Sequence, residues 1–371
     1  MNKIPVACTK CASYDPELLS LKVREAIVLA GGFPKSIRKG ARVLLKPNIL
    51  SAREPENAVT THPEVVRAVI RELKHIGAHI TVGDSPAGLH PWDKLWNTTG
   101  IGKVCEEEGV QLIPFENQKT IDFSDGKINI KIPVLKELDS FDAIVSIPKL
   151  KTHSLTKITG SVKNSYGLVI GYAKSHFHSI YPSPKKMSSF IGRLYGLLKP
   201  DFVIMDAVLS MEGDGPNSGM PFRTGLLFAS CDGVALDSCA CAVYGYKADE
   251  ILHIKKASEL GFGLSDMSMI DKKGEGFEEI GKVQYKRSKA DFLFKIPEKL
   301  FFIVTMAIKT RPKFDYDKCV KCGICARICS QRAIYKRREI YKLTSSKCIL
   351  CMCCIESCPH KALALRTRLF F

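Results

Sequence analysis

Eight cysteines in the C-terminal part of the chain repeat one spacing twice. The first run is Cys319-x2-Cys322-x2-Cys325-x3-Cys329, and the second is Cys348-x2-Cys351-x2-Cys354-x3-Cys358 followed by Pro359. A gap of two residues lets three thiolates from one tight loop reach three irons on one face of a cubane. The fourth cysteine of each run lies three residues further on and points away, so it ligates the other cluster. The spacing therefore predicts two [4Fe-4S] clusters, one held by Cys319, Cys322, Cys325 and Cys358 and the other by Cys348, Cys351, Cys354 and Cys329.

The residues that follow the two runs also repeat. Ala333 and Ile334 come after the first run, and Ala362 and Leu363 take the same positions after the second. Small and apolar residues there would keep water away from the clusters. Two structural zinc sites are the alternative for paired Cys-x2-Cys motifs. Zinc needs neither runs of four nor an internal repeat, so clusters are favoured.

Residues 313–371 closely resemble bacterial-type two-cluster ferredoxins. Two positions differ from that family: Ser330 stands where the family usually has proline, and Cys353 is an extra cysteine beside Cys354. Ser330 removes no ligand, and Cys353 is interpreted as a packed or partly exposed thiol more readily than as a ligand. The resemblance implies electron transfer at low potential between two neighbouring clusters.

The remaining six cysteines carry weaker signals. Cys8-x2-Cys11 could form a redox pair, but residues three apart on a strand face opposite sides, which favours structural roles. Clustered cysteines in a reducing compartment point to metal binding and not to disulfides. The other four are expected to be buried thiols or to lack a partner; they are Cys105, Cys231, Cys239 and Cys241.

The first 281 residues alternate apolar runs with helical patterns. This alternation is typical of an α/β domain with an open, mostly parallel sheet. Strands are predicted at 42–46, 80–82, 143–147, 202–205 and 226–229, and a helix is predicted to begin near Pro63. We expect the fourth strand to end at Asp206 and the third to run into a loop at 148–153. The predicted organisation is an α/β domain (1–281), a basic linker with a short apolar helix (282–312), and a small α+β ferredoxin-like domain (313–371).

Polar residues follow most of these strands. Ligands of open α/β sheets bind at the carboxyl ends of the strands, so we expect a cleft there. Lysines with amide donors suit an anionic ligand such as a phosphate or a carboxylate; the predicted ligand-binding residues are Lys46, Asn48, Lys149, Lys151, Lys163 and Asn164. Acids nearby could hold a divalent metal or transfer protons; the catalytic candidates are Asp206, Glu212, Asp214 and His153.

Simpler interpretations of these residues exist. Any single charge could be a solvated loop residue, and a lone histidine is more often structural. The glycine-rich segment 212–219 has neither a Walker nor a dinucleotide spacing, so nucleotide binding is not supported.

Several motifs in order resemble the family of unknown function numbered 362. They are Lys46-Pro47-Asn48, Pro148-Lys149-Leu150-Lys151-Thr152-His153, Thr159-Gly160-x2-Lys163-Asn164-x2-Gly167, Met211-Glu212-Gly213-Asp214-Gly215-Pro216 and Ala235-Leu236-Asp237. The resemblance covers residues 4–245. Members are often described as iron–sulfur centre proteins and are frequently followed by a ferredoxin module. The resemblance implies this pairing of domains and assigns no reaction.

The positive charge is concentrated in the C-terminal part. Residues 282–371 hold 21 Lys and Arg and only 6 Asp and Glu, in a chain whose net charge is +17. This excess suits an acidic redox partner or an anionic membrane surface better than nucleic acid. The apolar segment 300–308 is too short to cross a bilayer; we expect a packed connecting helix, with a membrane-surface helix as the alternative. No apolar signal segment is recognised near the start, so a cytoplasmic location is expected.

Two functions fit these features. A ferredoxin-dependent reductase would bind an anionic substrate or cofactor in the cleft and exchange electrons with it through the clusters. A non-catalytic electron carrier or adaptor would use the first domain to dock a redox partner. No flavin, nicotinamide or radical-initiating motif is recognised, which weakens the enzyme hypothesis because two-electron chemistry normally needs a cofactor that collects single electrons. The charged cleft weighs against a pure carrier, so the sequence leaves open whether the protein is an enzyme, with an iron–sulfur oxidoreductase slightly favoured.

Overall fold

Strands make up the centre of the molecule in the computed structural model, which describes residues 3–86, 91–282 and 284–366. The strands are β1 (Ile4–Lys10), β2 (Arg42–Pro47), β3 (His79–Asp84), β4 (Gln111–Pro114), β5 (Gln118–Ser124), β6 (Asn129–Leu135), β7 (Ala143–Ile147), β8 (Lys149–His153), β9 (Lys157–Thr159), β10 (Phe202–Glu212), β11 (Met220–Ser230), β12 (Ile270–Lys273), β13 (Arg311–Phe314), β14 (Ile334–Arg337), β15 (Ile340–Leu343) and β16 (Leu363–Arg366). The helices are α1 (Pro16–Leu29), α2 (Pro63–Ile76), α3 (Trp92–Thr99), α4 (Ile101–Glu107), α5 (Ser161–Asn164), α6 (Ala173–Ile180), α7 (Pro184–Tyr195), α8 (Gly233–Ala240), α9 (Leu252–Glu259), α10 (Phe301–Ala307), α11 (Ile324–Arg327) and α12 (Cys353–Glu356).

One ten-stranded sheet has the order β12-β1-β11-β10-β7-β2-β3-β4, with β8 paired to β10 and β9 paired to β8. The run β10-β7-β2-β3-β4 is parallel throughout. β11 is antiparallel to both of its neighbours, β1 and β10. The predicted α/β class with an open, mostly parallel sheet is therefore confirmed.

Each face of the sheet is covered by its own apolar core. Val43 and Leu45 of β2 point into the core formed with α1 and α2, and Leu44 points into the core formed with α7, α8 and α9. This alternation follows from the two-residue period of a strand. Helices on both faces leave the strand ends as the place where polar groups can meet a ligand.

Helix α2 begins where the sequence predicts it. Pro63 occupies the first turn, and the Nδ1 atom of His62 accepts a hydrogen bond from the backbone N–H of Glu64. Gly77 ends the helix with a φ of 82°, a conformation that glycine adopts at low cost.

Two predictions about strand ends are wrong. The strand predicted to stop at Asp206 continues as β10 to Glu212, with an irregularity between Ala207 and Leu209. The predicted loop at 148–153 contains strand β8, which is buried along its whole length. Both errors have one cause: the polar residues in these segments are buried against partners that the local sequence does not reveal.

The C-terminal part forms two small two-stranded sheets, β13 with β16 and β14 with β15, both antiparallel. Short helices α11 and α12 follow the first cysteines of the two runs. This arrangement is the small α+β fold expected for a ferredoxin-like module. In the described ranges of the chain, no helix combines the length and apolar character needed to cross a bilayer.

Candidate functional site between the sheet and the C-terminal module

A cleft lies where the carboxyl ends of β2, β3 and β8 face the C-terminal module. Its empty volume is ≈ 810 Å³, which includes space that is open to solvent. The C-terminal module contributes Ile328, Cys353, Glu356 and Ser357 to the wall. Polar and charged residues of the α/β domain in the lining include Asn48, Asp84, His153, Lys163, Asn164, Lys174 and His178.

Two lysines line this cleft. Among the residues that the structure describes, the ammonium group of Lys163 has no hydrogen-bond or ion-pair partner. Burial lowers the pKa of Lys163, and Glu356 opposes that shift. Lys174 donates a hydrogen bond to the backbone carbonyl of Ser85, and burial lowers its pKa to about 7. The cleft therefore offers cationic groups whose charge is incompletely neutralised by the protein.

Lys46 lies behind the cleft and is paired. Its Nζ atom is 2.8 Å from Oδ1 of Asp84, and both side chains are buried. It also donates to Oδ1 of Asn164 at 3.2 Å, while the backbone N–H of Ile49 donates to Oδ2 of Asp84 at 2.6 Å. Burial lowers the pKa of Lys46 although Asp84 raises it. This pair holds the ends of β2 and β3 together and leaves Asn48 and Asn164 at the rim.

Lys149 and Lys151 are also buried inside the fold. Lys149 donates to Oδ2 of Asp206 at 2.7 Å and to the Tyr14 hydroxyl at 2.9 Å. Lys151 donates to Oδ1 of Asn48 at 2.7 Å and to the carbonyl of Val59. Burial lowers the pKa of both lysines. Of the six predicted ligand-binding residues, the structure thus brings Asn48, Lys163 and Asn164 to the cleft and keeps Lys46, Lys149 and Lys151 behind it.

A histidine of the sheet meets a carboxylate of the C-terminal module. Nδ1 of His153 accepts a hydrogen bond from the backbone N–H of Leu155 at 3.0 Å. Its Nε2 atom lies 3.5 Å from Oε1 of Glu356. Neither of these two buried atoms has a hydrogen-bond partner among the described residues. Burial holds the pKa of His153 well below its usual value. Unsatisfied buried polar atoms are rare in proteins. Here they belong to residues that line the cleft, where a bound molecule could supply the missing hydrogen-bond partner.

The eight cysteines of the two runs line two smaller cavities beside the cleft. One has an empty volume of ≈ 320 Å³ and is lined by Cys319, Cys322, Cys325 and Cys358. The other, of ≈ 350 Å³, is lined by Cys329, Cys348, Cys351 and Cys354. The two fourth cysteines each accept a backbone N–H at 3.2 Å, from Ala333 to Sγ of Cys329 and from Ala362 to Sγ of Cys358. Thiol donors around small apolar cavities, with N–H groups aimed at sulfur, fit cubane clusters.

Family models match both parts of the chain. Residues 43–242 match the model described as a domain of unknown function, DUF362. The chain belongs to the DUF362 family. Residues 318–362 match a 4Fe-4S dicluster domain, so the chain carries iron–sulfur clusters and has an electron-transfer role.

Individual similar proteins give less information about this chain than the family models do. The thylakoid-associated protein sll1697 of Synechocystis is 30% identical over 233 residues, which cover 62% of this chain and 72% of that protein. A structural match is the lactate racemase apoprotein from Thermoanaerobacterium thermosaccharolyticum, with a TM-score of 0.42 and 13% identity. It covers 65% of this chain, which spans 57% of the racemase chain.

The DUF362 motif around Gly160 is held by a buried aspartate. Oδ1 and Oδ2 of Asp237 accept hydrogen bonds from the backbone N–H groups of Ser161 (2.7 Å) and Val162 (2.9 Å). Burial raises the pKa of Asp237 to about 7. A Cβ atom on Gly160 would lie only 2.3 Å from Oδ1 of Asp237, so this position requires glycine. Asp237 therefore fixes the start of α5, which carries Lys163 and Asn164 to the cleft.

The three acids proposed as catalytic candidates do not line the cleft. Asp206 is buried in β10 and accepts from Lys149, Tyr14 and the backbone N–H of His62. Glu212 accepts from the backbone N–H of Lys286 at 2.9 Å. Asp214 accepts from the backbone N–H of Lys289 at 2.8 Å. The expectation that these acids share a cleft with the lysines is wrong, because their carboxylates bind the strand network and the linker instead.

In the ranges that the structure covers, no group of three or more His, Cys, Asp or Glu side chains is arranged for a single metal ion.

Direct contacts join the DUF362 domain to the dicluster domain. The Nδ2 atom of Asn217 donates to the carbonyls of Glu356 (2.9 Å) and Cys358 (3.3 Å). On the other side of the interface, the hydroxyl of Ser179 donates to that of Ser330 at 2.7 Å. These contacts hold Glu356 and Cys353 against the cleft.

The cleft residues that the sequence did not reveal include Lys174, His178, Cys353 as a wall residue, and Glu356. Lys174 and His178 lie on α6, outside every recognised motif. Glu356 could have been noticed in the sequence, because it is the one acidic residue between the first and last cysteines of the second run. Its partner His153 is 203 positions away in the sequence and could be found only from the fold.

Proposed function

We propose that this iron–sulfur protein is an oxidoreductase in which two [4Fe-4S] clusters exchange electrons with a small anionic molecule held in the cleft. In this proposal one cluster is ligated by Cys319, Cys322, Cys325 and Cys358 and the other by Cys348, Cys351, Cys354 and Cys329. The grouping of these cysteines around two separate cavities supports the assignment. When bound, the clusters supply single electrons at low potential.

One observation carries the proposal: Cys353 lines both the cleft and the cavity of the second cluster. Its side chain is buried, and its Sγ atom is 3.7 Å from the carbonyl oxygen of the cluster residue Cys351. A molecule in the cleft would thus be separated from the second cluster by the side chain of Cys353. A docking domain without redox chemistry of its own would not need this shared wall.

The charge of the cleft supports an anionic ligand. Lys163 has no protein partner among the described residues, and Lys174 meets only a backbone carbonyl. A carboxylate or phosphate would supply the missing acceptors through charge-assisted hydrogen bonds. The unsatisfied atoms of His153 and Glu356 face the same space and would orient a polar group of the ligand. Ile49, Leu155 and Ile191 line the rest of the cleft, so the ligand would combine an anionic group with an apolar part.

A pure electron carrier is the second candidate, favoured by a different observation. Cys322 of the first cluster site is exposed, and the exposed Lys318 and Lys321 precede it in sequence. This surface would let an acidic redox partner approach the first cluster. In the reductase proposal, the same surface is where electrons enter or leave.

We also propose a cytoplasmic location with access to a membrane surface. The Synechocystis relative is described as thylakoid-associated, which supports access to a membrane surface without identifying a partner.

Replacement of Lys163 by methionine tests the cleft. Methionine keeps most of the side-chain volume and removes a charge that has no hydrogen-bond or ion-pair partner among the described residues. We expect Lys163→Met to lose a co-purified anion that the wild type retains, because affinity should fall by about tenfold or more. The measurement is native mass spectrometry of anaerobically purified protein, together with iron content.

Lys255→Ala is the matched control, since this exposed lysine of α9 is outside the cleft. Wild type and control should carry the same additional mass, and all three proteins should hold the same iron. If the wild type carries no additional mass and Lys163→Met transfers electrons to partners at the wild-type rate, the reductase proposal fails and the carrier remains.

A further inference from the structure

Helix α10, in the linker between the two domains, exposes an unusual number of large apolar side chains. Ile303 is 66% exposed, Met306 57%, Leu300 46% and Phe302 41%. Residues 302, 303 and 306 share one helical face, and residue 300 lies beside it at the start. Other exposed apolar residues, such as Leu21 and Val28 on α1, are scattered. Single exposed apolar residues are ordinary, whereas a continuous patch indicates an interaction site.

The opposite face of α10 is packed, which fixes the orientation of the helix. Phe301 and Thr305 are buried. Phe301 belongs to an apolar cluster with Leu155 of the α/β domain and with Leu350 and Met352 of the second cysteine loop. The helix is therefore held by both domains, and its apolar face points outward as part of the folded structure.

Basic residues surround the exposed face. Between positions 295 and 313 the chain has five Lys or Arg residues and one acid, Glu298. Glu298 is paired with Lys186 at 3.3 Å. The exposed Lys299 and Lys309 lie near the two ends of the helix, and the exposed Lys295 lies further upstream in the sequence. Arg311 instead closes the helix, donating to the carbonyls of Thr305 and Thr310.

We propose that this face of α10 binds the surface of an anionic lipid bilayer. Short amphipathic helices bind membranes by burying apolar side chains at the headgroup boundary while lysines contact anionic headgroups. The face is only two turns long, and positive charges lie near it in the sequence, which matches a charged planar surface better than the apolar groove of a protein. This inference does not depend on the proposed reductase activity.

The test is co-sedimentation of the full-length, cluster-loaded protein with lipid vesicles under anaerobic conditions. Wild type should bind vesicles of phosphatidylcholine mixed with phosphatidylglycerol, bind phosphatidylcholine alone much more weakly, and dissociate as salt is raised. The double variant Ile303→Gln/Met306→Gln should bind the mixed vesicles with an affinity that is lower by about tenfold or more. Lys295→Gln/Lys299→Gln should lose the preference for anionic vesicles.

Leu21→Gln/Val28→Gln is the matched control, because these side chains are 61% and 68% exposed on α1. It should bind like the wild type, and iron content should show that every variant retains its clusters. The proposal is overturned if the wild type binds neither vesicle type, in which case the face serves a protein partner. Equal losses in the α10 and α1 variants would also overturn it, since binding would then reflect general hydrophobicity.

Discussion

Lys174 gives the cleft a charge that should change near neutral pH. Burial lowers its pKa to about 7, so its ammonium group is charged below that pH and becomes neutral above it. An anion in the cleft should therefore bind best in mildly acid solution. We expect affinity to fall by roughly threefold to tenfold as the pH rises through about 7. Native mass spectrometry of the retained molecule across this pH range provides the measurement.

Lys174→Met separates this effect from other titrating groups. The variant has no ammonium to lose, so its weaker retention should be nearly independent of pH across the same window. Iron content should stay constant in both proteins. A pH dependence in Lys174→Met equal to that of the wild type would show that another group controls the cleft.

Individual residues show how far sequence alone could reach. The cysteine spacing predicted the composition of both cysteine cavities, because ligand spacing around a cluster is a local property of the chain. Lys46 and Lys149 were predicted as ligand-binding residues from their positions after strands. Their carboxylate partners, Asp84 and Asp206, lie on other strands, β3 and β10. Only the register of the sheet brings each lysine to its acid. The sequence could therefore not separate these paired lysines from Lys163, which has no ion-pair partner in the described part of the chain.

At the scale of elements, Gly167 is where the segment after α5 passes the Lys46–Asp84 pair. A Cβ atom there would lie 2.4 Å from Nζ of Lys46 and 2.5 Å from Oδ1 of Asp84. Gly167→Ala should therefore separate this buried pair and reduce the free energy of unfolding by about 3 kcal/mol or more. Urea unfolding under anaerobic conditions measures the change.

Gly171→Ala supplies the comparison in the same segment. Its Cβ would meet no atom of the described residues within 4 Å, and its φ of +61° should cost about 1 kcal/mol. If the two variants lost similar stability, close contact with the ion pair would not be the reason for glycine at position 167.

Strand β10 illustrates what element prediction loses. Asp206 has the signature of a strand end, because an unpaired carboxylate in a central strand would be costly. Lys149, Tyr14 and the backbone of His62 satisfy that carboxylate, so the strand continues to Glu212. The extra residues position Glu212 and Asp214 against the linker, which in turn leads to α10. The buried partners of Asp206 therefore let the strand reach the acids that contact the linker.

At the scale of the whole molecule, the second cysteine run has two tasks. Its first three cysteines line one cysteine cavity, and helix α12 presents Cys353 and Glu356 to the cleft. Asn217 holds the backbone at the end of α12 through the carbonyls of Glu356 and Cys358. Because the cleft is closed by the dicluster domain, ligand affinity should depend on that domain as well as on the DUF362 domain.

In the proposed assignment, each cluster takes three ligands from one cysteine run and the fourth from the other run. This arrangement gives the last prediction. Wild-type protein reconstituted under anaerobic conditions should hold about eight irons. Cys329→Ser/Cys348→Ser removes two ligands from one proposed cluster and should leave about four irons, whereas Cys319→Ser/Cys329→Ser removes one ligand from each and should lower iron further. Cys353→Ser should retain the wild-type amount, because Cys353 is not a ligand in this assignment. Iron and sulfide analysis with electron paramagnetic resonance measures these differences.

The opposite result is also informative. If Cys319→Ser/Cys329→Ser, with both changes in one run, kept four irons while Cys329→Ser/Cys348→Ser lost nearly all, each run would hold its own cluster. The second cluster would then no longer depend on Cys329, and the packing of the two halves of the module around shared ligands would need another explanation.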